Sequence, residues 1–529
     1  MAGTLIDFSL LLDLGLILLS ATLFNYIARF LKQPNLLAYL VAGIFLGPMV
    51  LGAMDISILG FNLGIHSFED VLLLSELGVA FLLFGVGVET DFTKLMELGK
   101  TAFLGGIIQV LVTLLTVVIG FQLIGFLSLE QSIYVGLILA FSSTLIVVKI
   151  LNDNHQMNTL QGRLMIGFLL VQDLLIVLVM PFITSTFTSF DFTVFLPVLA
   201  RGVLIITFAY LLNKAIYPTM YKFAAKNNEL MFLASLSSAF VFILLAVGLE
   251  FPIAVGAFIA GVSLSTLPYN LEVFNQIRGV RDFFATIFFV TLGIQISFNF
   301  TAIPLPIILL VLIIVFLLKP IIFYLITLLS GYGGEVSVLV ALGLAQVSEF
   351  SFILANLSKD ALNQTPGLYS FLLIVIAGSM VLSPYFNKYS RNFYHFTDAI
   401  VNRIYPKIKD NKLVHRKIRL LESIPEEFQN HIIIIGAGTM GYNIAKTLNQ
   451  KELIIVDHNP DTIYDSILKG MHAVYGEADN LEVLEKVKLN KAKLLILSLP
   501  EIKAAINATR YAKKNQSKNN CFCKGALLP

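Results

Sequence analysis

From residue 5 to residue 387 the sequence passes through one long apolar segment after another, and that succession limits the possible folds more than any other feature. The segments fall near 5–28, 36–53, 68–88, 101–126, 131–151, 163–187, 193–216, 229–248, 252–268, 282–298, 304–329, 335–356 and 367–387. A bilayer core takes roughly 20 apolar residues of helix. In lipid, only helices and closed barrels satisfy the backbone. The pattern therefore predicts an all-α polytopic membrane protein with about 13 transmembrane helices, several of them short or interrupted by Gly and Pro. Composition agrees: 13% of the residues are charged, against roughly 25% in soluble domains. A net charge of +2 leaves no electrostatic footprint for nucleic acid. The two cysteines, Cys521 and Cys523, supply neither a disulfide framework nor a zinc site. Leu10 to Phe24 is apolar without a basic leader or cleavage site, so it reads as a first span and not as a removable signal peptide.

Basic residues set the orientation. Arg29, Lys32, Lys94, Lys100, Lys149, Arg163, Lys214, Lys222, Lys226, Arg278 and Arg281 fall in the loops after spans one, three, five, seven and nine. The alternate loops hold almost none, Lys359 being the exception. The N-terminus is expected outside and the C-terminal region in the cytoplasm of a cell-membrane protein.

Ionisable groups at mid-membrane are costly and mark function. Asp173 lies about ten residues into its span, roughly 15 Å deep. A carboxylate there needs a cation, a wet cavity or a basic partner, the requirements for a group that holds a cation in one state and a proton in the other. Two polar interruptions lie at similar depth: Phe141-Ser142-Ser143-Thr144 in the first half of the chain and Ala345-Gln346-Val-Ser-Glu349-Phe350 in the second. One interruption per half is the mark of inverted repeats with two broken, crossed helices around a midplane site. Lys319, before Pro320, either pairs with Asp173, counters the broken-helix ends, or pairs with Glu349. Asp13 and Glu76 also lie within spans, with no partner evident from sequence.

Beyond a basic linker (Lys407 to Arg419) the pattern becomes α/β. His431-Ile-Ile-Ile-Ile reads as a parallel strand, followed by Gly436-Ala-Gly438-Thr-Met-Gly441, a helix, and the strand Leu453 to Val456 ending in Asp457. Strand, glycines, helix, strand and acid form the dinucleotide fingerprint of a Rossmann-like domain. The glycines admit a pyrophosphate at a helix N-terminus, and Asp457 is expected to accept from ribose hydroxyls. The ligand expected is NAD(H) or an adenine nucleotide, regulatory and not catalytic.

Taken together, these segments resemble the monovalent cation:proton antiporter-2 family, including its Kef-type potassium efflux members. The likeness is carried by Pro34 to Pro48, Glu76 to Glu89, Phe141 to Thr144, Gln172-Asp173, Arg281 to Gly293 and Gly343 to Phe350. It implies a core domain moving against a scaffold, usually in a homodimer, with Asp173 as ion and proton carrier beside Gln172. Ser142, Ser143 and Thr144 complete the binding set, and Lys319, Gln346 and Glu349 support it. The Gln-Asp pair is similar to the Kef-type form, which points to potassium, exchanged one for one, over sodium. The acidic loop of glutathione-gated members has no counterpart in Ser265 to Arg278, so the resemblance does not extend to glutathione gating.

The C-terminal region resembles the N-terminal lobe of RCK (TrkA-N) domains, including Val474-Tyr-Gly476-Glu477-Ala-Asp479, where Glu477 replaces the usual Asp. The implied organisation is an exchanger domain over 1–390, a linker over 391–429, the nucleotide-binding lobe over 430–518 with Gly476 in its site, and an atypical tail over 519–529. That tail continues no expected strand, as a frameshifted or truncated end would look. The expected activity is exchange of K+ or Na+ for H+ across the bilayer under nucleotide control. The alternatives are a Na+/H+ antiporter of the same family and a nucleotide-gated channel. A channel would need a filter loop, and Ser330-Gly-Tyr-Gly-Gly334 falls in a cytoplasmic loop. A membrane-anchored oxidoreductase lacks a catalytic constellation, so no enzyme is expected.

Overall fold

The computed structural model describes residues 9–31, 33–54, 57–58, 61–62, 64–89, 99–154, 156–183, 192–297, 303–404, 421–423, 429–448, 452–477, 481–499, 505–506, 508–511 and 522–523. Lys32, Lys94, the basic linker and Asp479 lie outside them. Among the described residues eight helices are long and apolar enough to cross a membrane, or nine if the bent pair Ala200–Ala215 and Tyr217–Ala224 is one span. Three expected spans form shorter helices, Asn35–Leu46, Ile253–Ser265 and Gly333–Gly343. The first two follow directly on Pro34 and Pro252. The span expected near 282–298 belongs to a longer helix, Asn270–Gln295, whose amphipathic first turns hydropathy alone passes over.

The chain divides into two compact units: Met1–Ile146, Gly167–Ile322 and Leu344–Phe386 in one, and Val147–Ile166, Phe323–Gly343 and Asn387–Pro529 in the other. In the first unit large apolar side chains such as Phe30, Leu123 and Leu305 are exposed. Outward-facing apolar residues suit lipid, where helix association depends on close packing and not on the hydrophobic effect. Glycines supply that closeness. A Cβ on Gly43 would lie 2.0 Å from the Val290 carbonyl, and one on Gly293 would lie 2.2 Å from the Leu40 carbonyl. Gly87 and Gly261 meet in the same way. Gly43→Val should force helices Asn35–Leu46 and Asn270–Gln295 apart at a cost of about 3 kcal/mol, read as a lowered melting temperature in detergent; an unchanged melting temperature would refute the contact.

Asp13, unassigned from sequence, is fully buried and structural. Its carboxylate accepts from the His66 amide (3.0 Å), the His66 ring (2.9 Å) and the Ser67 amide (2.7 Å). It thus caps the positive end of helix Phe68–Glu89. Glu76, on that helix, is exposed.

Among the described residues the second unit contains a six-stranded sheet in the order Glu422–Ser423, His472–Tyr475, Leu453–Asp457, Ile432–Ile435, Leu494–Leu497, Phe522–Cys523. All neighbours are parallel except the first pair. Ile432–Ile435 is buried on both faces, as a parallel strand covered on either side must be. The tail read as continuing no strand corrects that reading: Phe522–Cys523 pairs in parallel with Leu494–Leu495 and forms the sheet edge.

Candidate functional site

The two polar interruptions are helix breaks. Residues 141–143 separate helices Leu129–Ala140 and Thr144–Asp153, and residues 344–349 separate Gly333–Gly343 from Phe350–Leu357. Each break leaves carbonyls without a helical partner. The breaks satisfy one another: the Ser348 amide donates to the Phe141 carbonyl (3.1 Å), and the Ser142 hydroxyl to the Leu344 carbonyl (3.0 Å).

Lys319 supplies the rest. It is fully buried, and its ammonium donates to the carbonyls of Leu139 (3.3 Å), Phe141 (2.5 Å) and Gln346 (2.9 Å). Of the three roles open from sequence, these contacts fit countering the broken ends. Its placement has a local cause. Pro320 has no N–H and crowds the turn before it, and the helix opens there into a π segment, Ile314–Leu318, with the Lys319 amide donating to the Ile314 carbonyl.

Asp173 and Gln172 sit on helix Leu160–Ile183. Asp173, partly buried, accepts from the Thr144 hydroxyl at 2.8 Å. Gln172, fully buried, accepts from the Ser142 amide at 2.9 Å. Its amide donates to Gln109, which in turn donates to the Ala140 carbonyl (3.0 Å) and to Thr113 (3.1 Å). Sequence reasoning passed over Gln109; an amide in the middle of the apolar helix Gly99–Ile124 was the available signal. Gln109→Leu should strand the Gln172 amide and the Ala140 carbonyl, each at about 1–3 kcal/mol. A transport rate at least tenfold lower is expected, and a rate within twofold of wild type would show that Gln109 does not hold the site.

Glu349 is buried beside Asp173, and both line one cavity of about 330 Å³ with Thr144. Its Oε1 lies 3.5 Å from the Leu145 amide at the N-terminus of helix Thr144–Asp153. Its Oε2 has no hydrogen-bond partner among the described residues. A buried carboxylate oxygen without a protein donor is satisfied by a proton, a cation or an ordered water. Asn35, Glu89, Arg281 and Asp282 line the same cavity, and sequence reasoning gave them no site role. Ser143 accepts at long range from the Ile146 amide (3.4 Å), and Gln346 donates to the Ser143 carbonyl (3.4 Å) while accepting from Ser383 (3.1 Å). Of the membrane residues singled out from sequence, Ser142, Ser143, Thr144, Gln172, Asp173, Lys319, Gln346 and Glu349 lie together around the two breaks, whereas Asp13 and Glu76 do not.

In the sheet domain, Gly436 has φ +90, a conformation that favours glycine. A Cβ on Gly441 would lie 1.9 Å from the Gly436 carbonyl, so the third glycine seats the helix against the strand. Gly438 faces open space at the N-terminus of helix Thr439–Thr447, where a backbone approach to phosphate is unobstructed. Asp457 is buried and already accepts from the Ala437 amide (2.6 Å) and the Asn459 amide (2.7 Å). It therefore braces the glycine loop as well as ending its strand. Gly476 has a packing reason, since its Cβ would meet Val483 at 2.3 Å. Among the described residues no group of His, Cys, Asp and Glu could hold a metal ion.

Against known proteins, the family model for the transmembrane region of sodium/hydrogen exchangers matches residues 15–388. The TrkA-N domain model matches residues 432–524. K(+) efflux antiporter 5 of Arabidopsis thaliana is 28% identical over 389 residues, covering 72% of this chain and 66% of that protein. The putative cation/proton antiporter YbaL of Escherichia coli (strain K12) is 28% identical over 510 residues, covering 92% and 86%. The glutathione-regulated potassium-efflux system protein KefC of Escherichia coli (strain UTI89) is 27% identical over 504 residues, covering 94% and 76%. This chain thus spans slightly less than two thirds of the plant relative's length. The sodium proton antiporter MjNhaP1 of Methanocaldococcus jannaschii, solved at pH 8, superposes with TM-score 0.52 at 16% identity over 73% of this chain and 99% of its own, a likeness of fold alone.

Proposed function

Because the chain belongs to the sodium/hydrogen exchanger family, whose members are transporters and not enzymes, we propose that it exchanges a monovalent cation for protons with Asp173 as the shared carrier. The observation that carries this reading is the pair of carboxylates in one cavity, Asp173 partly buried and Glu349 buried, with Glu349 Oε2 lacking a donor among the described residues. Two carboxylates that close cannot both stay charged without a cation between or beside them. A cation neutralises the pair in one state and a proton does so in the other; competition for one site is what couples the two fluxes. The N-termini of Thr144–Asp153 and Phe350–Leu357 add donors and favourable dipole ends for the carboxylates. Lys319, held by carbonyls, keeps the broken ends in place and takes no part in the exchange.

Potassium is the proposed cation. Relatives named as potassium efflux proteins align along most of the chain, and the carrier carries an amide, Gln172, beside it in place of a second acid. One potassium is exchanged for one proton by a homodimer in the cell membrane, N-terminus outside and TrkA-N lobe in the cytoplasm. The lobe binds NAD(H) or an adenine nucleotide at Gly436, Gly438 and Gly441, with Asp457 toward the ribose, and binding there regulates transport. The test is dissipation of a respiration-driven pH gradient in everted vesicles by added potassium or sodium. Potassium is expected to act at the lower concentration; a response to sodium alone would make sodium the substrate.

A further inference from the structure

Within the second unit, the loop and first turn of helix Leu160–Ile183 are fastened to the nucleotide-binding lobe. Arg163 grips Asp461 with both arms of its guanidinium, Nη1 to Oδ1 at 2.9 Å and Nη2 to Oδ2 at 2.6 Å, and Nη2 also donates to Asn459 Oδ1 at 3.0 Å. The Leu160 amide donates to the Tyr475 hydroxyl (3.0 Å), and the Leu160 side chain packs on the lobe's core. Gln161 donates to Glu477 (3.0 Å), which is also paired with Arg391. Glu477 is the residue that departs from the usual Asp of its motif, and its longer side chain is used here for contact with the helix.

These contacts lead back to the glycine loop. Asn459, which holds Arg163, donates its amide to Asp457 Oδ1, and Asp457 Oδ2 accepts from Ala437, between Gly436 and Gly438. Arg163 is on the same helix as Asp173, ten residues earlier, roughly two to three turns. We propose that Arg163, Asn459 and Asp461 form a latch through which occupancy of the Gly436–Gly441 loop reaches the helix that carries Asp173, with Gln161, Tyr475 and Glu477 as its second fastening. The inference rests on the proposed nucleotide role of the lobe. Alternating access requires the elements around the site to shift, and a latched helix end resists that shift. The engaged latch therefore holds transport back. A ligand that draws on Asp457 moves Asn459 and loosens Arg163. Arg163 and Asp461 are partly exposed, so the bond is modest in strength, but fork-to-carboxylate geometry gives it direction.

The test uses the full chain. Cation-driven proton movement is measured in everted vesicles with and without NADH and, separately, AMP, in wild type, Arg163→Ala, Asp461→Asn and the double variant. Binding of each probe to the detergent-purified protein is followed in parallel, and monodisperse elution in detergent serves as the folding control. Arg163→Ala is expected to raise the rate without nucleotide about fivefold, at the lower end of ordinary couplings between sites, and to flatten the nucleotide response. Asp461→Asn should do the same, and the double variant should add nothing, since both remove one interaction. Single variants with wild-type rate and response, or effects that add in the double variant, would overturn the latch. If wild type binds neither probe, the nucleotide reading fails separately, and the rates of the variants still decide whether the latch restrains transport. Glu477→Gln, which keeps the Gln161 contact and loses the charge pair with Arg391, should release the restraint partly; full wild-type behaviour there would remove Glu477 from the latch.

Discussion

Asp173→Asn is expected to abolish cation-coupled proton movement while leaving the protein folded in the membrane. The substitution is nearly isosteric, and the amide oxygen of Asn can still accept from the Thr144 hydroxyl, so the local packing survives. What is lost is chemical: an amide neither releases a proton at neutral pH nor neutralises a cation. A group that moves protons contributes about 10²–10⁴-fold to rate in other catalysed transfers, and a loss of at least about 100-fold is expected here. Glu349→Gln provides the contrast. It keeps the cavity's shape and removes the second charge, so exchange should be weakened and its pH dependence altered, without being lost. The opposite pattern, with Asp173→Asn active and Glu349→Gln dead, would transfer the carrier role to Glu349.

Lys319→Met is expected to have the largest effect on stability. Two terms compete. Removing a buried ammonium recovers its desolvation cost, and buried charges can often be replaced by apolar groups without loss. Here the partners are the backbone carbonyls of Leu139, Phe141 and Gln346, which no side-chain substitution can remove. The Phe141 carbonyl keeps the Ser348 amide, but the Leu139 and Gln346 carbonyls would be left buried without that donor, at about 1–3 kcal/mol apiece. The carbonyl term wins, for a net loss of about 2–5 kcal/mol. A fall in melting temperature of about 10 °C in detergent is expected, on the scale of a few degrees per kcal/mol, together with loss of transport as the two breaks shift. A Lys319→Met protein as stable as wild type would show that the breaks hold without it.

Much of the membrane region was legible because the bilayer makes polar residues conspicuous. Asp173, Gln172, Ser142, Ser143, Thr144, Gln346 and Glu349 stood out as polar groups in apolar spans, and the structure brings them together. The role of Lys319 was not decidable, because a lysine's reach of several ångströms allows an acid or a carbonyl as partner, and only the register of the two breaks selects the carbonyls. Gln109 was missed because the partners that tie it to the site, Gln172 and the Ala140 carbonyl, come from helices distant in sequence. The start of helix Asn270–Gln295 was missed because its first turns are polar on one side, and hydropathy averages that away. In the lobe, strand, glycine loop and acid followed from spacing, whereas the edge strand Phe522–Cys523 is two residues long and carries no pattern of its own.

The central claim is that one carboxylate couples the two ions. Purified protein in potassium-loaded liposomes, diluted into potassium-free buffer with a pH dye in the lumen, tests it most directly. The account predicts that the lumen acidifies as potassium leaves, and that liposomes carrying Asp173→Asn show no such change. Potassium efflux without acidification, or equal acidification by the variant, would contradict it.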